Sequence, residues 1–375
     1  MKQEILRVDK GYLPVDWFFV RFRNGKKIRR VMLVSDLPLD TLEITRYFRD
    51  LPMRLGIGVV LFNQFKPNPD YESVVAGVRL YKESQCDAIV AIGGGSSMDV
   101  AKCIKMYATL DENRNYLEQE IVPNDIPFLA VPTTAGTGSE ATRFAIVYYQ
   151  GKKQSITHES CIPNAVVVDP RVLETLPEYQ RKATMLDALC HAIESYWAVA
   201  STEESRSYSA EAIRLIFGNV FGYLASNPAQ NEQMMRAAYL AGKAINITRT
   251  TAPHAFGYNL TSVYGVAHGH AVALCMGKIF PLTVKRAFDR CNDPRGAAYL
   301  EGVLREIARL MGCNTAEAAA QKFGEFVAAL ELKKPQFVEG DYQRFANIVN
   351  PERLKNHPVT IDESEIEGLY REILA

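Results

Sequence analysis

The stretch AIVAIGGGSSMDVAK (Ala88–Lys102) joins a short apolar run to a glycine turn and then to a helical pattern that begins near Met98. Five consecutive apolar residues ended by glycines read as a strand buried on both faces, the kind found in parallel sheets. Glycines let the backbone approach a ligand, and the free N–H groups at the start of the following helix attract anions. The turn has neither the G-x-G-x-x-G spacing nor the Gly-Lys-Ser/Thr ending of a P-loop, so a plain tight connection is the alternative reading.

The same alternation extends in both directions from this stretch. Val31–Ser35 (VMLVS) is a strand pattern ending at Asp36, and a helical pattern covers Leu39–Leu51. Gly58–Phe65 reads as a strand, Tyr71–Glu83 and Met98–Thr109 as helices, and Phe128–Val131 and Arg143–Tyr149 as further strands. Strands alternating with helices of this length predict βαβ units and a mainly parallel sheet. Trp17–Arg30 is ambiguous, since Asn24-Gly25 suits either a hairpin turn or the end of a short helix. Beyond Pro177 helical spacing takes over, at Tyr179–Ala200, Glu203–Ser226, Glu232–Ile247, His268–Arg290, Ala297–Met311, Thr315–Leu330 and Glu363–Leu374. The expected organisation is an α/β domain over residues 1–177 and an all-α domain over 178–375.

Composition narrows the function classes. Lys+Arg and Asp+Glu balance at 43 each, which argues against nucleic acid as the main partner. No apolar run approaches the roughly 18–20 residues of a membrane span, and the charged N-terminus does not read as a signal peptide. Seven scattered Cys without a CxxC disfavour both a disulfide framework and a thiolate zinc site, and point to a reducing cytoplasm.

A second loop, TTAGTGSE (Thr133–Glu140), also follows a buried strand and is dominated by hydroxyl and glycine residues. Two such loops at the carboxyl ends of strands in one sheet suit the polar edges of a dinucleotide. Asp36, at the end of its strand, can accept hydrogen bonds from a ribose diol and would repel a 2′-phosphate, favouring NAD over NADP. Its alternative role is a helix N-cap.

Six His occur in the chain, and four of them fall between positions 191 and 270. Asp187 and His191 stand at i and i+4, on one face of a helix, where they form either a metal platform or an Asp–His hydrogen bond on a solvated surface. His254 and His268 add two further nitrogens. One carboxylate and three imidazoles without thiolate suit Fe²⁺ or Zn²⁺ with a position open for a substrate oxygen.

The ordered set GGGSSMDVAK (Gly93–Lys102), VPTTAGTGSEAT (Val131–Thr142), DALCH (Asp187–His191) and PHAFGY…AHGHA (Pro253–Ala271) resembles the iron-containing, group III alcohol dehydrogenases. The resemblance covers nearly the whole chain. It implies an N-terminal dinucleotide-binding domain, a helical metal-binding domain, an active site in the cleft between them, and a homodimer. It further implies metal ligation by Asp187, His191, His254 and His268. The cofactor contacts it implies are Gly94, Gly95, Ser96 and Asp99 in the first loop, Thr133, Thr134 and Thr137 in the second, with Asp36 and Lys153. Many members carry a further His four residues after the third ligand, where this chain has Tyr258. Tyr258 is therefore a candidate for substrate contact and proton transfer, with His270 as the second candidate.

The segment NITRTTAPH (Asn246–His254) resembles the subgroup that reduces phosphonoacetaldehyde to 2-hydroxyethylphosphonate. Arg249 could anchor a phosphonate through a bidentate contact, and Thr251 could donate a hydroxyl. The expected function is thus a metal-dependent, NAD-linked aldehyde reductase acting on a small anionic substrate, with no nucleic-acid or membrane partner. The alternatives are a dehydrogenase for another small alcohol, a dehydroquinate-synthase-like lyase on the same fold, and a non-catalytic NAD-binding protein.

Overall fold

The computed structural model describes residues 3–8, 10–21 and 28–375. The chain divides into two compact units, one of residues 1–134 and 139–175, the other of residues 135–138 and 176–375. The first unit runs β1 (Glu4–Arg7), α1 (Leu13–Arg21), β2 (Arg30–Ser35), α2 (Glu43–Arg49), α3 (Leu51–Leu55), β3 (Gly58–Phe62), α4 (Tyr71–Glu83), β4 (Ala88–Gly93), α5 (Gly95–Tyr107), β5 (Phe128–Pro132), β6 (Phe144–Tyr149), β7 (Lys152–Thr157) and β8 (Ala165–Val168). Six strands form one sheet in the order β1-β8-β5-β4-β2-β3. Every neighbouring pair in it is parallel. Every residue of β4 and β5 is buried, which explains their unbroken apolar runs.

The chain leaves β2 outward to β3 and returns on the other side as β4. The order therefore reverses between β2 and β4, and ligands bind beyond the carboxyl ends of strands at such a point. Asp36 follows one of these strands and the glycine turn follows the other.

Several expectations need correction. Phe144–Tyr149 is a strand, but it pairs antiparallel with β7 in a separate two-stranded sheet. β1, β7 and β8 escaped the sequence reading because they are short or polar: EILR, KKQSIT and AVVV. The helix expected from Leu39 starts at Glu43 with Leu42 as its N-cap, so Asp36 does not cap it. Of the ambiguous segment, residues 17–21 belong to α1, while Asn24-Gly25 lies outside the described residues.

The second unit is helical: α6 (Glu178–Trp197), α7 (Glu203–Leu224), α8 (Pro228–Thr248), α9 (Ala252–Tyr264), α10 (His268–Arg286), α11 (Ala297–Leu310), α12 (Ala316–Ala329), α13 (Asp341–Ala346), α14 (Pro351–Lys355) and α15 (Glu363–Leu374). Helix α6 is its axis. Residues 185–197 are all buried, polar Asp187, His191, Glu194 and Ser195 included, with α7, α8, α10 and α11 packed around them. The buried Arg181 guanidinium donates to Tyr223 O and Asn231 Oδ1, both at 2.9 Å, fastening α6 to α7 and α8. Phe256, Leu260, Cys275, Ile279 and Tyr370 share a core that joins α9, α10 and α15. Among the described residues no helix is long and apolar enough to cross a membrane.

His357, after α14, is fully buried beside Trp197 and Thr283. The Thr283 hydroxyl donates to Ile279 O at 2.6 Å, so it accepts from His357 Nε2–H at 3.1 Å. Nδ1 is left without a hydrogen-bond partner among the described residues. Burial pushes the pKa of His357 down to about 3. The unfolded chain takes up this proton below pH ~6.5 and the folded chain does not, so stability is full above that pH and declines as pH falls toward 3. His357→Gln should therefore flatten the pH dependence of urea unfolding, and the wild type should lose about 2 kcal/mol more than the variant between pH 7.5 and 5. Parallel losses in the two proteins would contradict this.

Candidate active site

Three side chains of the second unit converge. Ligand atoms of Asp187, His254 and His268 all lie within 4.8 Å of one another. Asp187 comes from the middle of α6, His254 from the first turn of α9 and His268 from the first residue of α10. Gly269 permits the meeting of α6 and α10: a Cβ there would lie 2.0 Å from Ala183 O and 2.6 Å from Asp187 Cβ. Any larger residue would push the start of α10, and His268 with it, away from α6.

The cluster suits a cation. Asp187 Oδ1 and His254 Nε2 are buried, 3.5 Å apart, and without a hydrogen-bond partner among the described residues. Burial would raise the Asp187 pKa, but the imidazoles of His191, His268 and His254 outweigh it and hold the carboxyl well below the usual range. His254 is opposed by burial too, yet the carboxylates of Glu194 and Asp187 push its pKa up to about 10. A position that holds a proton this tightly between two buried carboxylates is one that holds positive charge. His191 stacks on the His254 ring with centroids 4.4 Å apart, and the three-residue cluster does not include it.

Glu194, which sequence reading missed, organises the cluster. It stands seven residues after Asp187 and three after His191, on the same face of α6. Its fully buried carboxylate accepts from His254 Nδ1, from Thr251 N at 2.6 Å and from the Thr251 hydroxyl at 2.8 Å. Nδ1–H donates to Glu194, so loss of the Nε2 proton would leave a lone pair on the Asp187 side, the arrangement that orients metal-binding imidazoles. Thr251 is committed to Glu194, and its oxygen accepts from Trp197 Nε1 at 3.1 Å. The spacing DALCHAIE carried a signal for Glu194, but an isolated buried Glu has no pattern until His254 is placed against it.

Around this core, Tyr258 stacks on His268 at 5.1 Å and meets His254 edge-on at 6.2 Å. His270 lies fully buried beside Tyr179, whose hydroxyl is 3.2 Å from His270 Nδ1 and accepts from Ala267 N at 3.0 Å. Arg249 is exposed at the end of α8 with φ 61°, a left-handed conformation uncommon for a residue with a side chain. Its charge acts on Glu352, whose carboxylate is held low by Lys355 first and by Arg249 as well.

In the first unit, Asp36, the Gly94–Ser96 loop and Thr133-Thr134 follow the carboxyl ends of β2, β4 and β5. Asp36 Oδ1 accepts from Ser97 Oγ at 2.9 Å. Gly93 has φ 152°, and a Cβ there would strike Ser97 Oγ at 2.2 Å and Asp36 at 2.8 Å. Gly94 caps α5 without a side-chain hydrogen bond, so the helix presents free backbone N–H groups at Gly95 and Ser96. Thr133 N donates to Gly93 O at 3.0 Å, and Thr134 lies beside Gly94. Thr137 is in the four-residue segment grouped with the second unit. Lys153, on β7, acts electrostatically on Asp99.

Lys102, one turn after Asp99, is the other residue that sequence reading passed over. Its fully buried ammonium donates among Ser139 O at 2.6 Å, Phe144 O at 2.7 Å, Thr142 O at 2.9 Å and the hydroxyls of Ser139 and Thr142, both at 3.0 Å. It ties α5 to the chain directly after the second loop. Burial raises Asp99 to about 6 against the pull of Lys102, and Asp99 Oδ1 accepts from Ser139 Oγ at 3.2 Å.

Residues 22–170 match the family described as iron-containing alcohol dehydrogenase, and residues 182–374 match the C-terminal region of the Fe-containing alcohol dehydrogenase family. The chain belongs to the iron-containing alcohol dehydrogenase family and is an oxidoreductase of that class. It is 32% identical over 315 residues to a phosphonoacetaldehyde reductase of Streptomyces viridochromogenes, covering 80% of each chain. It is 30% identical over 319 residues to an NAD-dependent methanol dehydrogenase of Bacillus methanolicus, covering 82% of this chain and 80% of that one. The solved structure of an iron-containing alcohol dehydrogenase from Thermotoga maritima superposes with a TM-score of 0.82 at 26% identity, over 100% of this chain and 98% of that one.

If Glu194 orients His254, then Glu194→Gln should weaken metal retention by about 10- to 100-fold. Competition with a chromophoric chelator measures this directly, and a wild-type affinity in the variant would remove Glu194 from the site.

Proposed function

We propose that the protein is a metal-dependent, NAD-linked aldehyde reductase that converts phosphonoacetaldehyde to 2-hydroxyethylphosphonate. The observation that carries the chemistry is the Asp187–His254–His268 cluster, its first two members buried, with Glu194 behind it. The substrate reading is supported by the Streptomyces relative. A second reading, a dehydrogenase for another small alcohol, is favoured by the Bacillus methanol dehydrogenase at nearly the same identity.

In this reading Asp187, His254 and His268 hold a divalent ion, with His191 as fourth donor from the same helix face. Fe²⁺ is the first choice and Zn²⁺ the second. When bound, such an ion acts as a Lewis acid on the carbonyl oxygen. A bound nicotinamide would supply the hydride. The protein's part is to fix charge and orientation. Ionised Asp187 and Glu194 together match the two positive charges of the ion, and the Glu194–His254 hydrogen bond sets the imidazole tautomer. Tyr258, stacked on His268, is the proposed contact for the substrate oxygen and its proton. His270, engaged with Tyr179, is the less favoured of the two candidates.

For the cofactor, the backbone N–H groups of Gly94, Gly95 and Ser96 at the start of α5 are proposed to hold the pyrophosphate. Thr133, Thr134, Thr137, Asp99 and Lys153 are proposed to line the rest of the nucleotide. Asp36 is proposed to receive the ribose diol. The proposed setting is the reducing cytoplasm, where the seven Cys, all free, persist as thiols, and the proposed assembly is a homodimer.

Chelation should abolish NADH-dependent reduction of phosphonoacetaldehyde, and Fe²⁺ or Zn²⁺ should restore it. His268→Ala should lose bound metal and activity together, as read by elemental analysis and NADH oxidation. Full activity in metal-free protein would overturn the reading. Replacing Asp36 with Ser should shift the ratio of kcat/KM for NADPH over NADH upward by about 10-fold or more. An unchanged ratio would take Asp36 out of cofactor selection.

A further inference from the structure

We propose that Arg353, on α14, is the anchor for the anionic head group of the substrate, a tetrahedral oxyanion such as a phosphonate carried on a short aldehyde. This rests on the reading given under Proposed function and moves the anion contact from Arg249 to a residue about a hundred positions later.

Helix α14 packs against α9, which carries His254 and Tyr258. Asn356, just past its end, fixes its position. Asn356 Nδ2 donates to Thr248 O at 2.8 Å and Thr250 O at 3.1 Å, while its Oδ1 accepts from Ala200 N at 3.1 Å. The ends of α6 and α8 are thus both pinned to α14. Arg353 Nη1 is shut off from solvent and has no hydrogen-bond partner among the described residues. No carboxylate of the described residues forms an ion pair with it. Glu352, the acid beside it, is taken by Lys355 at 2.7 Å. A guanidinium N–H withdrawn from water without an acceptor is unfavourable, and it persists where a ligand supplies the acceptor.

Arg353 stands one turn before Asn356, whose amide is bonded to Thr248 O and Thr250 O, and Thr250 precedes His254 by four residues. The helix that carries the guanidinium is thus tied to the start of the helix that carries His254 and Tyr258. Charge balance gives the class of ligand. Asp187 and Glu194 offset a divalent ion, the three imidazoles are neutral as ligands, and Arg353 is one positive charge in excess. An anionic substrate restores neutrality, and a planar guanidinium matches phosphonate oxygens in bidentate fashion. Thr250, whose hydroxyl is also buried without a partner, lies in the segment that Asn356 pins and offers a further donor. Arg249 has no comparable claim, since its side chain is exposed and its charge is directed at Glu352.

The test compares metal-loaded wild type, R353Q and R353K. Steady-state kinetics use phosphonoacetaldehyde and propionaldehyde, and calorimetry measures binding of methylphosphonate. R353Q should raise the KM for phosphonoacetaldehyde about 100-fold more than the KM for propionaldehyde, because a charge-assisted bidentate contact is lost. R353K should recover part of that difference, and methylphosphonate binding should be lost in R353Q. A wild type that reduces phosphonoacetaldehyde alongside an R353Q variant of unchanged selectivity overturns the anchor and leaves the proposed function standing. A wild type that binds methylphosphonate through Arg353 but does not turn over phosphonoacetaldehyde supports the anchor and overturns the substrate assignment. Absence of methylphosphonate binding in the wild type overturns the anchor.

Discussion

Two carboxylates buried on one face of α6 set the terms for the rest of the helical unit. Asp187 and Glu194 are separated by two helical turns and both are withdrawn from water. Uncompensated, such a pair would oppose folding strongly, because ions lose far more solvation than packing returns. The chain answers with donors from elsewhere. Glu194 receives Thr251 twice and His254 once, which fixes the first turn of α9. Asp187 Oδ1 lies 3.5 Å from His254 Nε2 without a hydrogen bond to it, and has no partner among the described residues. The satisfied carboxylate is therefore the positioning one, and the unsatisfied one has an oxygen open to a cation.

Close backbone approach turns this electrostatic demand into geometry. The start of α10 can bring His268 to Asp187 only because Gly269 has no side chain facing Ala183. Tyr370 then braces α9 from the other side, donating to Phe256 O at 3.0 Å while accepting from Asn259 at 2.8 Å. The first unit uses the same device. Gly93 lets the end of β4 turn under Ser97 and Asp36, and Lys102 secures the far end of the second loop with five oxygen contacts. In both units the side chains expected to meet ligands are held by neighbours that never meet them.

The sequence was informative where periodicity and chemistry coincided. The runs at 31–35, 88–92 and 128–131 are strands of the main sheet, and Tyr71–Glu83 is a helix with the same limits. It was uninformative where an element is short or polar, as in β1, β7, β8 and α14, because a few residues carry too little pattern to exceed noise. Helix α9 was missed although its first residues include His254. Its opening TTAPH reads as a loop, and Pro253 is tolerated only because it falls in the first turn. At the site, the three clustered residues Asp187, His254 and His268 were visible as residue types at suggestive spacings. Glu194 and Lys102 were not, since a lone buried charge shows its meaning only through partners 40 to 60 residues away.

Arg249 and Arg353 show why adjacency in sequence is a poor guide to an anion site. Arg249 is five residues before His254, yet the chain between them must leave α8 and enter α9. Its φ of 61° turns the backbone at that corner, and the side chain remains exposed to solvent. Arg353 is distant in sequence but sits on a helix tied by Asn356 to the same corner. The short α14 carries charges of both signs. Glu352 is neutralised at the surface by Lys355, and Arg353 retains a buried nitrogen with no acceptor. Of the two arginines, the one near the ligand motif is solvated, and the one without a motif keeps one N–H shut off from water. Desolvation makes a cation selective for an anion, because only an unhydrated guanidinium gains its full Coulomb energy from the charge it meets.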